Sequence, residues 1–201
     1  MTIRDKVVSH FLMTVLALLL LHGSALAHSF NVVLVIPASN AAAVQGHQIR
    51  KGFMLATAER DGHPDQESDG HLGGLDVYVT LVDEQGDVAA DVARFVAQND
   101  IDIVAVFGSE ESLSLIGTLL EGSNVALLLP GRSPFSEPGL PGTAAFVAAY
   151  EMAYGGKPSS HAAQGYHAAR RIDRAVRAQG GVDDRAMLRR DFTETARGFT
   201  W

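Results

Sequence analysis

The chain contains no cysteine. That excludes a disulfide framework, a Cys-ligated zinc site and a thiol nucleophile. It also excludes the lipid-modified cysteine that anchors many exported bacterial proteins. Basic charge is scarce: 16 Lys and Arg stand against 23 Asp and Glu, a net charge of −7. A nucleic-acid binder normally shows a basic face, so that class is set aside. Catalytic signatures are missing as well. There is no G-x-S-x-G elbow, no H-E-x-x-H, no G-x-x-x-x-G-K-[ST] and no H-x-x-x-H pair. Where a glycine-rich phosphate loop would follow the first strand, Pro37-Ala38-Ser39-Asn40 stands instead. No internal repeat is visible. What remains is ordinary for a globular chain: 201 residues, 47% apolar and 19% charged, enough for one domain or two very small ones.

Residues 1–27 read as a targeting signal and not as part of the fold. Arg4 and Lys6 make a short basic start, and Phe11–Leu21 is apolar apart from Thr14. Gly23 and Ser24 break the run, and Ala25-Leu26-Ala27 fits the small-x-small cleavage pattern. The run is shorter than the roughly 20 residues that span a bilayer. Cleavage after Ala27 leaves residues 28–201 as a soluble exported protein, periplasmic in a bacterium with two membranes.

The rest alternates between two periodicities. Asn31–Ile36, Leu75–Val82, Ile101–Phe107 and Val125–Leu129 are apolar runs suited to strands buried on both faces. Between them lie helical patterns: Ile49, Gly52, Phe53 and Ala56; then Val88, Val92, Phe95 and Val96; then Leu113, Ile116, Leu119 and Leu120. Asp87 is placed to cap the second of these. Asp61–Gly74, rich in Asp, His and Gly, reads as a surface loop. The pattern predicts an α/β fold of three layers, a parallel sheet in order 2-1-3-4 with helices on both faces. Ligands of such sheets bind beyond the carboxyl ends of the strands. That directs attention to Pro37–Gln45, Asp83–Asp87, Gly108–Ser112 and Pro130–Phe135.

After Leu129 the rhythm changes. Pro130–Gly142 holds four of the chain's seven prolines and three glycines and is irregular. Three helices then follow: Thr143–Tyr154 with Phe146, Tyr150 and Tyr154 on one side, about His161 to Gln179, and one starting near Asp183 or Asp184. The second carries Arg170, Arg171, Arg174 and Arg177, which read as a solvated basic stripe or a dock for an acidic partner. The loop holding His63 and His71 with Asp61, Asp65, Glu67 and Asp69 reads as a solvated acidic loop, with a divalent metal as the lesser alternative.

Several segments, in order, resemble the type I periplasmic binding proteins of the leucine/isoleucine/valine kind, the solute receptors of branched-chain amino-acid ABC transporters. They are Gln45–Gly62, Gly73–Asp87, FGSEES at Phe107–Ser112, LLLPGRSP at Leu127–Pro134, and Phe146–Ala175 with its YG-x-x-P and GY-x-A-A runs. The resemblance implies a periplasmic binding protein that takes a small amino-acid-like ligand, has no catalytic role or cofactor, and works with an ABC permease or another periplasmic protein. Family members have two lobes that close on the ligand. Here the first lobe's units run straight into the late helices, as if the second lobe were excised at Ser133–Gly142. Residues 28–201 are thus expected to form a single α/β domain, with C-terminal helices from about 143 packing back on the first lobe.

Carried over residue by residue, the resemblance places ligand contacts at Ser112, Gly131 and Ser133, with Ser109 and Gln45 beside them. Ser112 lies where a helix begins, so free N–H groups there suit an anion. Capping of that helix by Ser109 or Ser112 is the competing explanation. Glu110 and Glu111 set acid beside a ligand carboxylate, and Arg132 is the nearest offsetting charge in sequence. No second-lobe partner for a ligand ammonium is found. The second functional class is accordingly a one-lobed adaptor that has lost transport. Mass spectrometry of the exported chain is expected to find His28 at its amino terminus; an intact Met1 in the cytoplasm refutes export.

Overall fold

A computed structural model describes residues 29–62, 67–98, 100–131 and 142–198. The central strand, β1 (Ser29–Ile36), owes its position to its sequence, because it has apolar side chains on both faces. Phe30, Val32, Leu34 and Ile36 enter one core, and Val33 and Val35 enter the other. It pairs in parallel with β3 (Leu75–Asp83) on one side and β4 (Ile103–Val106) on the other. β5 (Ala126–Leu128) follows β4, also in parallel. The four predicted strands therefore lie in the predicted 2-1-3-4 order.

One expectation is corrected. The acidic segment before β3 is not wholly loop, because His71–Leu72 forms a short strand, β2, antiparallel to β3 at the sheet edge. The sheet is therefore mixed, in order β2-β3-β1-β4-β5. Two residues leave no periodicity to read, so polar partners hold this edge instead. His71 lies between Asp61, 3.1 Å from Nδ1, and Asp76, 2.9 Å from Nε2. Asp173 accepts the Gly73 N–H at 2.8 Å. Gly73 has φ +67, and a Cβ there would fall 2.4 Å from Val176 Cγ1. Among the described residues no cluster of His, Asp and Glu could hold a metal; His63 and Asp65 lie outside them.

Helices cover both faces. α2 (Val88–Gln98) and α3 (Glu110–Leu119) pack on one face through Val88, Val92 and Ile116. Asp87 accepts the Ala90 N–H at 3.1 Å and caps α2 as expected. The other face carries α1 (Ala43–Ala58), α4 (Thr143–Tyr154), α5 (Ser160–Gln179) and α6 (Arg185–Ala196). The late helices thus pack back on the sheet built by the first half of the chain. Phe146 and Tyr150 of α4 are buried, as the one-sided aromatic pattern requires. Tyr150 donates to Gln48 Oε1 at 2.6 Å and Tyr154 to the Lys51 carbonyl at 3.0 Å, which fastens α4 to α1.

α1 and α5 meet closely. A Cβ on Gly52 would sit 1.8 Å from the Ala162 oxygen, and one on Gly165 would sit 1.9 Å from the Ile49 oxygen. Each glycine lets a carbonyl of the other helix approach its Cα, a geometry that Cα–H···O contacts favour. Ala162, Ala163, Ala168 and Ala169 continue the small-residue surface of α5.

The basic stripe on α5 is also corrected. Arg174 and Arg177 are exposed and Arg170 is half-buried, but Arg171 is 1% exposed. Its Nε donates to Thr195 Oγ1 at 2.9 Å, Nη1 to the Leu129 carbonyl at 2.7 Å, and Nη2 to the Phe192 carbonyl at 2.5 Å. Burial lowers its guanidinium pKa to about 10. The side chain ties the end of β5 to the last turn of α6, where carbonyl dipoles favour a cation. Arg177 folds back on Asp173 at 2.9 Å.

Gly52→Ala and Gly165→Ala are each expected to lower stability by roughly 2 kcal/mol or more through overpacking. That is a drop of about 4–8 °C in melting midpoint for a chain of this size. Gly117→Ala on α3, whose Cβ would meet only Leu127 at 4.0 Å, is expected to be neutral or stabilising by up to about 1 kcal/mol. Thermal melts of the three variants check both signs.

Candidate functional site at the strand ends

The carboxyl ends of β1, β3 and β4 are held together by two adjacent carboxylates, Asp83 at the end of β3 and Glu84 just past it. Asp83 Oδ1 accepts the Ala38 N–H at 2.9 Å and the Gln85 N–H at 3.1 Å. Asn40, at φ +57, donates from its amide to Gln85 Oε1 at 2.8 Å. The backbone hydrogen bond from Ala38, with those from Gln85 and Ser39, holds the Asp83 pKa below the usual value. Gly46 lets α1 start against Pro37, whose oxygen would lie 1.8 Å from a Cβ.

Glu84 is fixed next to it. Its N–H donates to the Ile36 carbonyl at 3.0 Å. Its side chain then crosses the end of β1 to the loop after β4. Oε1 accepts the Ser109 N–H at 2.5 Å and the Ser112 hydroxyl at 3.1 Å. Gly108 makes room, since a Cβ there would stand 2.7 Å from Glu84 Cδ. Partial burial and neighbouring Asp83 raise the Glu84 pKa. The hydrogen bonds from Ser109 and Ser112 outweigh both and hold it below the ordinary glutamate value.

This arrangement places the expected site residues as follows. Ser109 is the N-cap of α3 and accepts the Ser112 N–H at 3.2 Å. Its own hydroxyl donates to Ser112 Oγ at 3.1 Å. Ser112 is 7% exposed. The structure thus brings Ser109 and Ser112 together. Gly131 lies on the neighbouring loop, with a notional Cβ 2.9 Å from Arg171 Nη1 and 3.1 Å from Ala196 Cα. Its lack of a side chain therefore serves packing on Arg171 and α6. Gln45 is exposed in the first turn of α1. Ser133 and Arg132 lie outside the described residues. Glu110 and Glu111 are exposed in the first turn of α3, where the helix dipole favours them.

Sequence reasoning missed Glu84. The loop Asp83–Asp87 was singled out, but nothing local shows that a side chain there reaches residues 109 and 112. The available signal was Gly108, a glycine at a strand end without a turn that requires it.

No family model matches the sequence, and no curated protein matches it significantly. Solved structures do match. A leucine-binding protein of Thermotoga maritima has TM-score 0.67 at 11% identity, over 83% of this chain and 87% of that one. A branched-chain amino-acid transporter substrate-binding protein of Streptococcus pneumoniae, solved with isoleucine, gives 0.62 at 11% identity, over 83% and 88%. A solute-binding protein of an ABC transporter from R. palustris, solved with benzoate, gives 0.57 at 14% identity, over 82% and 85%. The fold is therefore that of the type I periplasmic binding proteins.

Glu84→Gln is expected to cost roughly 1 kcal/mol at neutral pH, where hydrogen bonds to an ionised acceptor are strongest. A folded-state pKa held below the unfolded one contributes stability above the unfolded value and loses it as pH falls through the folded value. Urea melts across the acid range should therefore show wild type and variant converging below the ordinary glutamate range. A constant difference at every pH refutes the charged interaction.

Proposed function

We propose that the chain is an exported periplasmic solute-binding protein of the ABC-transport type. It binds a small amino-acid-like ligand at the strand-end loops, with Ser109, Ser112, Gly131, Ser133 and Gln45 as contacts. It is reduced to one lobe and serves an ABC permease. Catalysis has no part in this reading, since the matched structures named above are binding proteins. The observation that carries it is the fold, shared over most of the chain with solute-binding proteins. The convergence of Ser109 and Ser112 at the carboxyl edge of the sheet, where such folds bind ligands, agrees with it. Among the described residues no helix is long and apolar enough to cross a membrane, which fits an exported chain.

The second reading, a periplasmic adaptor that keeps the fold and has lost transport, is favoured by one observation. The donors of the two serines are already engaged within the chain. A single lobe also leaves one side of a ligand in water, far from the burial typical of small-molecule sites.

The isolated monomer is accordingly expected to bind free leucine, isoleucine or valine weakly. A ligand at 100 times its dissociation constant stabilises a protein by about 2.7 kcal/mol. For a chain of this size that is a midpoint shift of roughly 5–10 °C. Melts should show no such shift at micromolar amino acid and a small one at millimolar, lost in Ser112→Ala. A clear shift at micromolar ligand would mean that something completes the site. No shift with any amino acid, with a periplasmic partner captured by pull-down, supports the adaptor.

A further inference from the structure

We propose that the outer edge of β3 pairs with the same edge of a second copy of this chain. The two strands run antiparallel, centred on Leu81, and join two five-stranded sheets into one. The pairing uses backbone groups alone and does not depend on the solute-binding reading above.

Alternate residues of β3 turn their backbone groups to opposite sides. The Glu84 N–H, which continues the strand, reaches the Ile36 carbonyl of β1, so the even-numbered residues face β1. The odd-numbered residues face outward. Val77 finds partners there: its carbonyl accepts the Asp69 N–H and its N–H donates to the Gly70 carbonyl, both at 2.9 Å. The Val79 N–H donates to Asp69 Oδ2 at 2.8 Å. Beyond that point the chain's own cover ends. The Val79 carbonyl, both groups of Leu81 and the Asp83 N–H have no partner among the described residues. The Asp83 carbonyl is again engaged, by the Gly86 N–H at 3.1 Å.

The open groups form a self-complementary set. About a two-fold axis at Leu81, Leu81 faces Leu81 of the second copy, and Val79 faces Asp83 of the second copy. Residues in a hydrogen-bonded antiparallel pair exchange both N–H···O bonds. The two Leu81 residues do so in full. Each Val79–Asp83 pair joins a free Asp83 N–H to a free Val79 carbonyl. The other bond of that pair would need the Val79 N–H and the Asp83 carbonyl, the two outward groups that the chain already satisfies. Donors and acceptors therefore match with none left over, and the two-fold closes the assembly at a dimer.

The opposite edge of the sheet is guarded, and this one is not. At β5 the Val125 and Leu129 carbonyls are taken by Arg189 and Arg171. Val77–Val82 holds no charge, proline or glycine, the residues that keep an edge strand from pairing. Leu81 is 39% exposed and Tyr78 40%. In the dimer Leu81 meets its counterpart across the axis, and Thr80 lies opposite Val82, contacts that stabilise paired strands.

Sedimentation of the exported chain should show a monomer–dimer equilibrium that moves with concentration. A chain that stays monomeric up to millimolar concentration overturns the proposal, whatever else the edge then binds. Leu81→Lys sets like charges opposite each other and should weaken the dimer roughly tenfold, about 1.4 kcal/mol. A dimer of undiminished strength lies on another face and overturns the proposal. If that variant fails to fold, a cysteine arm decides. The chain has no cysteine, so Leu81→Cys carries a single thiol. Residues facing each other in such a pair have Cα atoms about 5.5 Å apart, within disulfide range. Mild oxidation with diamide should link Leu81→Cys into dimers roughly tenfold faster or more than Leu115→Cys, an exposed position on α3. Equal rates at the two positions overturn the pairing.

Discussion

The crossing of α1 and α5 at Gly52 and Gly165 is the constraint on which the rest of the structure depends. α5 lies more than a hundred residues after α1 in sequence, yet the two helices touch backbone to backbone. That contact brings the late part of the chain down on the sheet face that β1, β3 and β4 leave apolar. Without it, Phe30, Val32, Leu34 and Ile36 would lack their cover, since the core they enter is completed by residues of α4, α5 and α6. Once α5 is seated, its other residues do distinct work. Asp173 holds the β2–β3 turn, Tyr166 donates to Glu59 beyond the end of α1, and Arg171 reaches β5 and α6.

Arg171 shows how a charge can be buried with no carboxylate partner among the described residues. Removing a guanidinium from water costs several kcal/mol unless its N–H groups find acceptors. Here two carbonyls and one hydroxyl supply them, and two of the three come from the last turn of α6. The same geometry explains why residue 131 is glycine, because a side chain there would press on the guanidinium. α6 is anchored at its other end as well. Arg185 meets Asp102, and Arg189 donates to the Ser123 and Val125 carbonyls at 2.7 and 2.9 Å. These contacts cover the start of the short edge strand β5, a position where unpaired backbone invites association.

Strands buried on both faces are legible because every residue must be apolar, and Val32–Ile36 of β1 is such a run. Helices with one buried face are legible by their spacing, as Ile49, Gly52, Phe53 and Ala56 show. Strand order followed from the parallel crossovers. What escaped reading lacks periodicity or depends on distant partners. β2 has two residues. Arg171 differs from Arg174 and Arg177 in the direction it faces on α5, and the many alanines there leave the edge of the buried face unmarked in the sequence. At the site, the capping competition at Ser109 and Ser112 was visible, but its resolution depended on Glu84, which lies 25 residues upstream of Ser109.

That resolution changes what the strand-end face means chemically. A helix amino end beside two serines is a site for an anion, and the motif resemblance points to the same use. In this chain the anion is already present and covalently attached. Its effective concentration at the serines is set by the fold, not by solution, so a free carboxylate competes at a disadvantage. Asp83, Glu84, Glu110 and Glu111 leave this end of the sheet rich in negative charge.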